Sequence, residues 1–99
     1  MTGALSPGAA LALVASLTPG LRRAVVARRD GTCLAGDPAL AGPAGRALED
    51  AGGGEARTAK GLHVAGDERH VVAAETGAEV LGGLLLADLR LALEALRET

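Results

Sequence analysis

Residues 18–31 read TPGLRRAVVARRDG, and this stretch decides the fold. Thr18-Pro19-Gly20 is a stop signal for a preceding helix, because Pro cannot continue a helix and Gly is favoured just past its end. Leu21 to Arg28 predicts a β-strand with an apolar centre. Asp30-Gly31 is the dipeptide favoured in two-residue hairpin turns, with Gly31 at positive φ. The stretch therefore predicts the end of a helix, a strand and a tight hairpin turn.

The elements on either side follow from caps and turns. Ser6 is a cap and Pro7 a first-turn proline, which predicts a helix from Pro7 to Leu17. This helix has no charged side chain and is apolar almost all round, so we expect it to be buried on more than one side. Thr32 to Ala35 is the expected antiparallel partner of the first strand.

A second helix is predicted after Asp37-Pro38, which is typical of a cap followed by a first-turn proline. Gly42, Pro43 and Gly45 interrupt the pattern, so its continuous part is expected only from Pro43 to Ala51. Gly52-Gly53-Gly54 ends it. The residues available for a buried face are Leu40, Ala44, Ala47, Leu48 and Ala51.

The C-terminal half predicts three strands and a helix. Arg57 to Ala65 and Arg69 to Thr76 form a second hairpin around Gly66-Asp67, or around a four-residue loop from Ala65 to Glu68. The apolar run Val80 to Leu85 suits a central strand buried on both faces. A last helix follows on Leu86, Leu89, Leu93 and Leu96, but its start stays open because Leu84 to Leu86 fit either state.

Length and composition describe one small domain, residues 1–99. The chain is 48% hydrophobic and 22% charged, which is far from the range in which disorder wins. It has no Phe, Tyr or Trp, so the core must be built from Leu, Val and Ala, and self-association would help a chain this short.

Several classes of function and location are disfavoured. The net charge of −2, with signs interspersed and no aromatics, argues against nucleic acid as a partner. A single cysteine, Cys33, gives no internal disulfide, and the apolar stretch Ala9 to Ala15 is too short to span a membrane. We expect a cytoplasmic protein without a cofactor.

The catalytic and metal-binding candidates are few. Cys33 with His63 or His70 is the only nucleophile and base pair worth testing. If the second hairpin turns at Gly66-Asp67, His63 lies opposite His70, close enough to share a metal. Zinc prefers three or four ligands, so a structural or solvated pair is favoured. A small-ligand or metal sensor at His63 and His70 is the alternative function.

The arginines beside the first strand have two interpretations. Arg22-Arg23 and Arg28-Arg29 could meet an acidic partner, or they could be solvated flanks that keep the strand from aggregating. The second interpretation is favoured.

Across Thr18 to Gly31, and in element order over the whole chain, the sequence resembles the roadblock family, which includes dynein light chains and bacterial regulators of Ras-like GTPases. The shared features are the helix end at Pro-Gly, the apolar strand and the Asp-Gly turn. The resemblance implies an α+β, roadblock/profilin-like fold. In it a five-stranded antiparallel sheet carries the first and last helices on one face and the second helix on the other. The resemblance further implies that the second strand lies at one edge of the sheet and the third and fourth strands at the other, which would separate Cys33 from either histidine by about 14 to 19 Å.

The resemblance also implies a function. Members pair through the second helix and the third strand, and bacterial members dock as dimers onto a small GTPase. We therefore expect a non-catalytic homodimer, with the first helix as an alternative contact because Pro43 breaks the second. The candidate interface residues are Leu40, Ala44, Ala47, Leu48, Ala51 and Leu62.

Overall fold

The computed structural model describes residues 6–18, 20–58, 61–77 and 82–97, which form three α-helices and a five-stranded sheet. In chain order the elements are α1 (Pro7–Leu17), β1 (Leu21–Arg28), β2 (Cys33–Gly36), a 3-10 turn (Pro38–Leu40), α2 (Ala41–Ala51), β3 (Glu55–Arg57), β4 (Leu62–Gly66), β5 (His70–Thr76) and α3 (Gly82–Arg97).

The sheet has the strand order β2-β1-β5-β4-β3, and all neighbours are antiparallel. Alternate residues of its central strands bury against opposite layers. Val26 and Val72 pack with α1 and α3, whereas Val25 and Ala73 pack with α2. The predicted fold class, with two helices on one face and one on the other, is confirmed. Among the described residues, every buried hydrophobic side chain is Ala, Val or Leu.

The N-terminal elements have the predicted bounds. The Ser6 hydroxyl accepts a hydrogen bond from the Ala9 N–H at 3.2 Å and caps α1. Helix α1 then ends at Leu17, and β1 runs from Leu21 to Arg28. Local signals were sufficient here because a cap, a stop signal and an apolar strand follow one another without ambiguity.

The first hairpin turn is one residue longer than predicted. The Gly31 N–H donates to the Arg28 carbonyl at 3.0 Å, and the Arg28 N–H donates to the Thr32 carbonyl at 2.8 Å, which leaves three residues in the loop. Gly31 has the predicted positive φ, 99°, but no described residue other than glycine does, so Asp30 cannot occupy a type I′ turn. The two-residue turn was therefore wrong, and a type I turn closed by a left-handed glycine fits the loop.

Helix α2 is longer than predicted. Asp37 caps the 3-10 turn by accepting from the Ala39 N–H at 3.0 Å, and α2 then runs without a break from Ala41 to Ala51. Pro43 lies in the first turn, where the backbone N–H has no partner within the helix, so it does not interrupt the hydrogen bonds. Gly52 ends the helix at φ 87°.

The predicted strand Arg57 to Ala65 is two strands. Glu55–Arg57 and Leu62–Gly66 pair as β3 and β4, and the reversal between them includes Gly61 at φ 87°. The Gly61 N–H donates to the Thr58 carbonyl at 3.1 Å. The sequence did not reveal this turn because the apolar pattern of residues 57–65 is weak.

The predicted strand Val80 to Leu85 was also wrong. Residues 82–85 are the first turn of α3, and residues 80 and 81 lie outside the described ranges. Leu85, Leu89 and Leu96 recur at helical spacing, and all three are buried in the core that α1, α3 and one face of the sheet share. The helical period therefore extends further toward the N-terminus than the apolar run suggested.

The second hairpin turns two residues later than predicted. The Asp67 N–H donates to the His70 carbonyl at 3.0 Å, and the Asp67 carboxylate accepts from the N–H groups of Arg69 and His70 at 2.8 and 2.9 Å. The loop is thus Glu68-Arg69. Gly66 stays in β4, where an added Cβ would lie 2.5 Å from Cδ1 of Leu48 in α2.

Candidate functional site

The two histidines are not brought together. His63 pairs with Ala74 of β5, whereas His70 pairs with Arg28 of β1. Ala74, the partner of His63, lies four residues from His70 along β5, and four residues of a strand span about 13 Å. The predicted opposition was wrong because the turn lies at Glu68-Arg69. Among the described residues, no group of three or more His, Cys, Asp or Glu side chains could hold a metal ion.

His63 occupies a structural position at the β3–β4 reversal. Its side chain is 8% exposed, and Nδ1 lies 3.2 Å from the Gly61 carbonyl, to which it donates. Burial lowers the pKa of His63; the Gly61 carbonyl raises it and the nearby Arg57 charge lowers it further. The balance favours a neutral imidazole.

Cys33 lies half-buried on the end strand β2, opposite Ala27 of β1. Two strand spacings separate β2 from β5 and three separate it from β4, so Cys33 is about 10 Å from His70's strand and about 14 Å from His63's strand. The first distance is shorter than predicted because β5 is the central strand. Neither histidine can act as a base for this thiol within one chain.

The predicted interface residues divide into two groups. Leu40, Ala44, Leu48 and Leu62 are buried in the core between α2 and the sheet. Ala47 is half-buried at the margin of that core, and Ala51 is exposed. A contact over α2 would therefore use Ala47 and Ala51 rather than the leucines.

The strand beside α2 is an end strand of the sheet. β3 pairs only with β4 in the strand order, so its outer side offers backbone N–H and C=O groups for a further strand. Ala56 of β3 is half-buried against the same core as Ala47. Glu55 makes an ion pair with Arg90 of α3, which ties β3 to the opposite helix layer. Helix α2 and β3 together form one continuous margin of the molecule.

A second group of charges ties the sheet together at the end where β1 begins. The Arg23 guanidinium donates two hydrogen bonds to the Glu75 carboxylate, at 3.0 and 2.9 Å, and one to Asp37 at 3.3 Å. The hydrogen bond from Arg23 holds the pKa of Glu75 below its usual range. Because β5, β1 and the end of β2 meet here, we interpret this network as structural.

Three other arginines border an open cleft at the opposite end of the sheet. The cleft lies between the two hairpin turns and is lined by Arg28, Arg29, Asp30, Glu68, Arg69 and His70. These residues come from turns far apart in the sequence, so the sequence analysis missed the group. The pairing of β1 with β5 was the signal that could have found it, since it places both turns at one end.

Two surfaces of the described chain are thus candidates for binding: the margin formed by α2 and β3, and the arginine-bordered cleft. No described helix is both long and apolar enough to cross a bilayer. No protein-family model, curated protein or solved structure matches the chain.

Proposed function

We propose that this protein is a non-catalytic cytoplasmic subunit of the roadblock type, which forms a homodimer and docks onto a Ras-like small GTPase or a larger complex as a regulator or scaffold. The observation that supports it is topological. The strand order β2-β1-β5-β4-β3, with α2 alone on one face beside the end strand β3, has the arrangement that the sequence resemblance implies.

The exposed surface supports a protein partner. Helix α1 exposes Ala9, Ala12 and Ala15, together with Leu17 at 39%, and carries no charge. On α3, Leu91 is 53% exposed. Aliphatic surface of this kind on a small domain is reduced by association.

We place the homodimer contact on α2 and β3. Pairing of two β3 strands would satisfy the outward backbone groups of both edges and extend one sheet into the other. Ala47, Ala51 and Ala56 have small side chains, which let a second copy approach closely. Forming this contact would not require any of these three side chains to be pulled out of the core.

Sedimentation equilibrium tests the dimer. We expect a dimer mass for the unmodified protein at concentrations on the order of tens of micromolar, where specific dimers persist. Ala51→Glu should give monomers because it places a charge in the α2 contact. The matched control is Ala15→Glu, which adds the same charge at an exposed alanine of α1 and should stay dimeric.

Leu48 and Val14 are unsuitable for this test, because both are fully buried and a charge there would disrupt the core. A monomer mass for the unmodified protein would refute the dimer. Dissociation by Ala15→Glu alone would move the contact to α1. Docking is tested by mixing the protein with Ras-like GTPases of the same cell. If the two neither co-sediment nor show a change in the rate of nucleotide hydrolysis, docking onto these GTPases is contradicted.

A further inference from the structure

The cleft between the hairpin turns has a fixed backbone. The Arg29 N–H donates to the Arg69 carbonyl at 3.0 Å, which joins the β1–β2 turn directly to the β4–β5 turn. Pairing of Arg28 with His70 continues the ladder immediately below. The backbones of the two turns are therefore held side by side, and residues of both turns line the same cleft.

Three arginines border this cleft, and none of them takes part in the ion pairs within 4 Å that the described ranges contain. In the described ranges, the ion pairs are those of Arg23, with Asp37 and Glu75, and of Arg90, with Glu55. Arg28, Arg29 and Arg69 take part in none of them. All three are exposed.

Two of the three acidic side chains of these turns, Asp30 and Asp67, accept hydrogen bonds from backbone N–H groups. The Asp30 carboxylate accepts from the Thr32 N–H at 2.9 Å, and hydrogen bonds from Thr32 lower the pKa of Asp30. Asp67 accepts from two N–H groups of its own turn. Among the six lining residues, three arginines face one Asp and one Glu, so the formal charge is positive before His70 is counted.

His70 adds a donor to the cleft. Its Nδ1 is shielded from solvent and has no hydrogen-bond partner in the described structure. A buried nitrogen without a partner costs less as a bare acceptor than as an unsatisfied N–H, which favours the tautomer with its proton on Nε2. The half-buried ring can then donate to a ligand in the cleft.

We propose that this cleft binds a phosphate-type oxyanion, either as a free ion or as a phosphate monoester presented by a protein. Guanidinium groups donate paired hydrogen bonds in a geometry that matches phosphate oxygens. Three guanidinium groups that each donate paired hydrogen bonds, together with one imidazole, offer more hydrogen bonds than the two oxygens of a carboxylate accept. The three terminal oxygens of a phosphate group can accept from all four side chains.

Amide NMR titration of the full chain at constant ionic strength tests the proposal, with inorganic phosphate, a phosphoserine peptide and succinate as probes. We expect saturable shifts at Arg29, Arg69 and His70 with both phosphate probes. Arg29→Gln and Arg69→Gln should each weaken binding about tenfold, the usual effect of losing a charge-assisted hydrogen bond. Arg46→Gln is the matched control, since Arg46 is exposed on α2 and makes none of the ion pairs described above.

Each outcome is decisive. Tighter binding of the peptide than of inorganic phosphate identifies a presented phosphate as the ligand, and equal binding identifies the free ion; both support the proposal. Succinate binding as tightly as phosphate overturns it, as do linear shifts without saturation or an Arg46→Gln effect equal to that of Arg29→Gln. The amide spectrum of each variant reports whether it is folded. The sedimentation mass reports on the dimer independently.

Discussion

Single residues of this protein are most informative where burial opposes charge, and His63 is the strongest case. Its imidazole is almost fully covered, yet Nδ1 reaches a backbone carbonyl at the β3–β4 reversal. The neutral ring satisfies that carbonyl without the cost of a buried charge. Protonation would therefore oppose folding at this position.

The pH dependence of stability should show this effect. The pKa of folded His63 lies below its ordinary value of 6.5, so just below that pH the unfolded chain binds more protons than the folded one. The stability contribution is complete above about pH 6.5 and is lost as the pH falls toward the folded pKa. Urea unfolding at neutral and mildly acidic pH measures the difference.

His63→Gln serves as the control, because Gln can still donate to the Gly61 carbonyl but does not titrate. We expect the variant to lose the decline in stability near pH 6.5. Any decline at lower pH, where carboxylates titrate, should remain, because the pKa of Glu75 is lowered from its ordinary value of 4.5 in the folded protein. An unchanged decline near pH 6.5 in His63→Gln would show that another group causes it.

Among the elements, the β1–β2 hairpin depends on two glycines for different reasons. Gly31 and Gly36 both have positive φ, 99° and 88°. Around Gly31 an added Cβ would meet nothing within 4 Å, whereas at Gly36 it would lie 2.3 Å from the Ala24 carbonyl oxygen. That oxygen also accepts from the Asp37 N–H at 2.9 Å, so it cannot move freely.

We expect Gly31→Ala to reduce the free energy of unfolding by about 1 kcal/mol, the cost of the left-handed conformation alone. Gly36→Ala should cost about 3 kcal/mol or more, because the same strain is joined by a backbone collision. Chemical denaturation of the two variants measures both values. Equal losses would contradict the close approach at Gly36.

Element boundaries were predictable only where a local signal fixed them. The cap at Ser6 and the stop at Pro-Gly define α1, but no periodicity reveals the reversal at Gly61, because a single glycine in a weak strand has no apolar pattern around it. The second hairpin depends on the carboxylate of Asp67, whose bonds to two N–H groups override the turn preference of Gly66-Asp67. That competition is decided by three-dimensional geometry.

At the scale of the whole molecule, the layer arrangement could be predicted better than its parts. The count of five strands was correct although Arg57 to Ala65 is two strands and the predicted strand Val80 to Leu85 contributes helix instead. The resemblance supplied the placement of the helices on the two faces, but it put Arg69 to Thr76 at the far edge of the sheet, whereas in the observed strand order this segment is the central strand β5. The cleft required that order together with the correct second turn, so it was beyond the sequence analysis.

The all-aliphatic composition has an optical consequence. A chain without Phe, Tyr or Trp neither absorbs appreciably in the near ultraviolet nor emits intrinsic fluorescence. Its own unfolding leaves no trace in those spectra and has to be observed through the peptide bonds. In a complex, the same property makes the protein a dark partner: any near-ultraviolet absorbance or emission comes from the other component, whether an aromatic side chain or a guanine base.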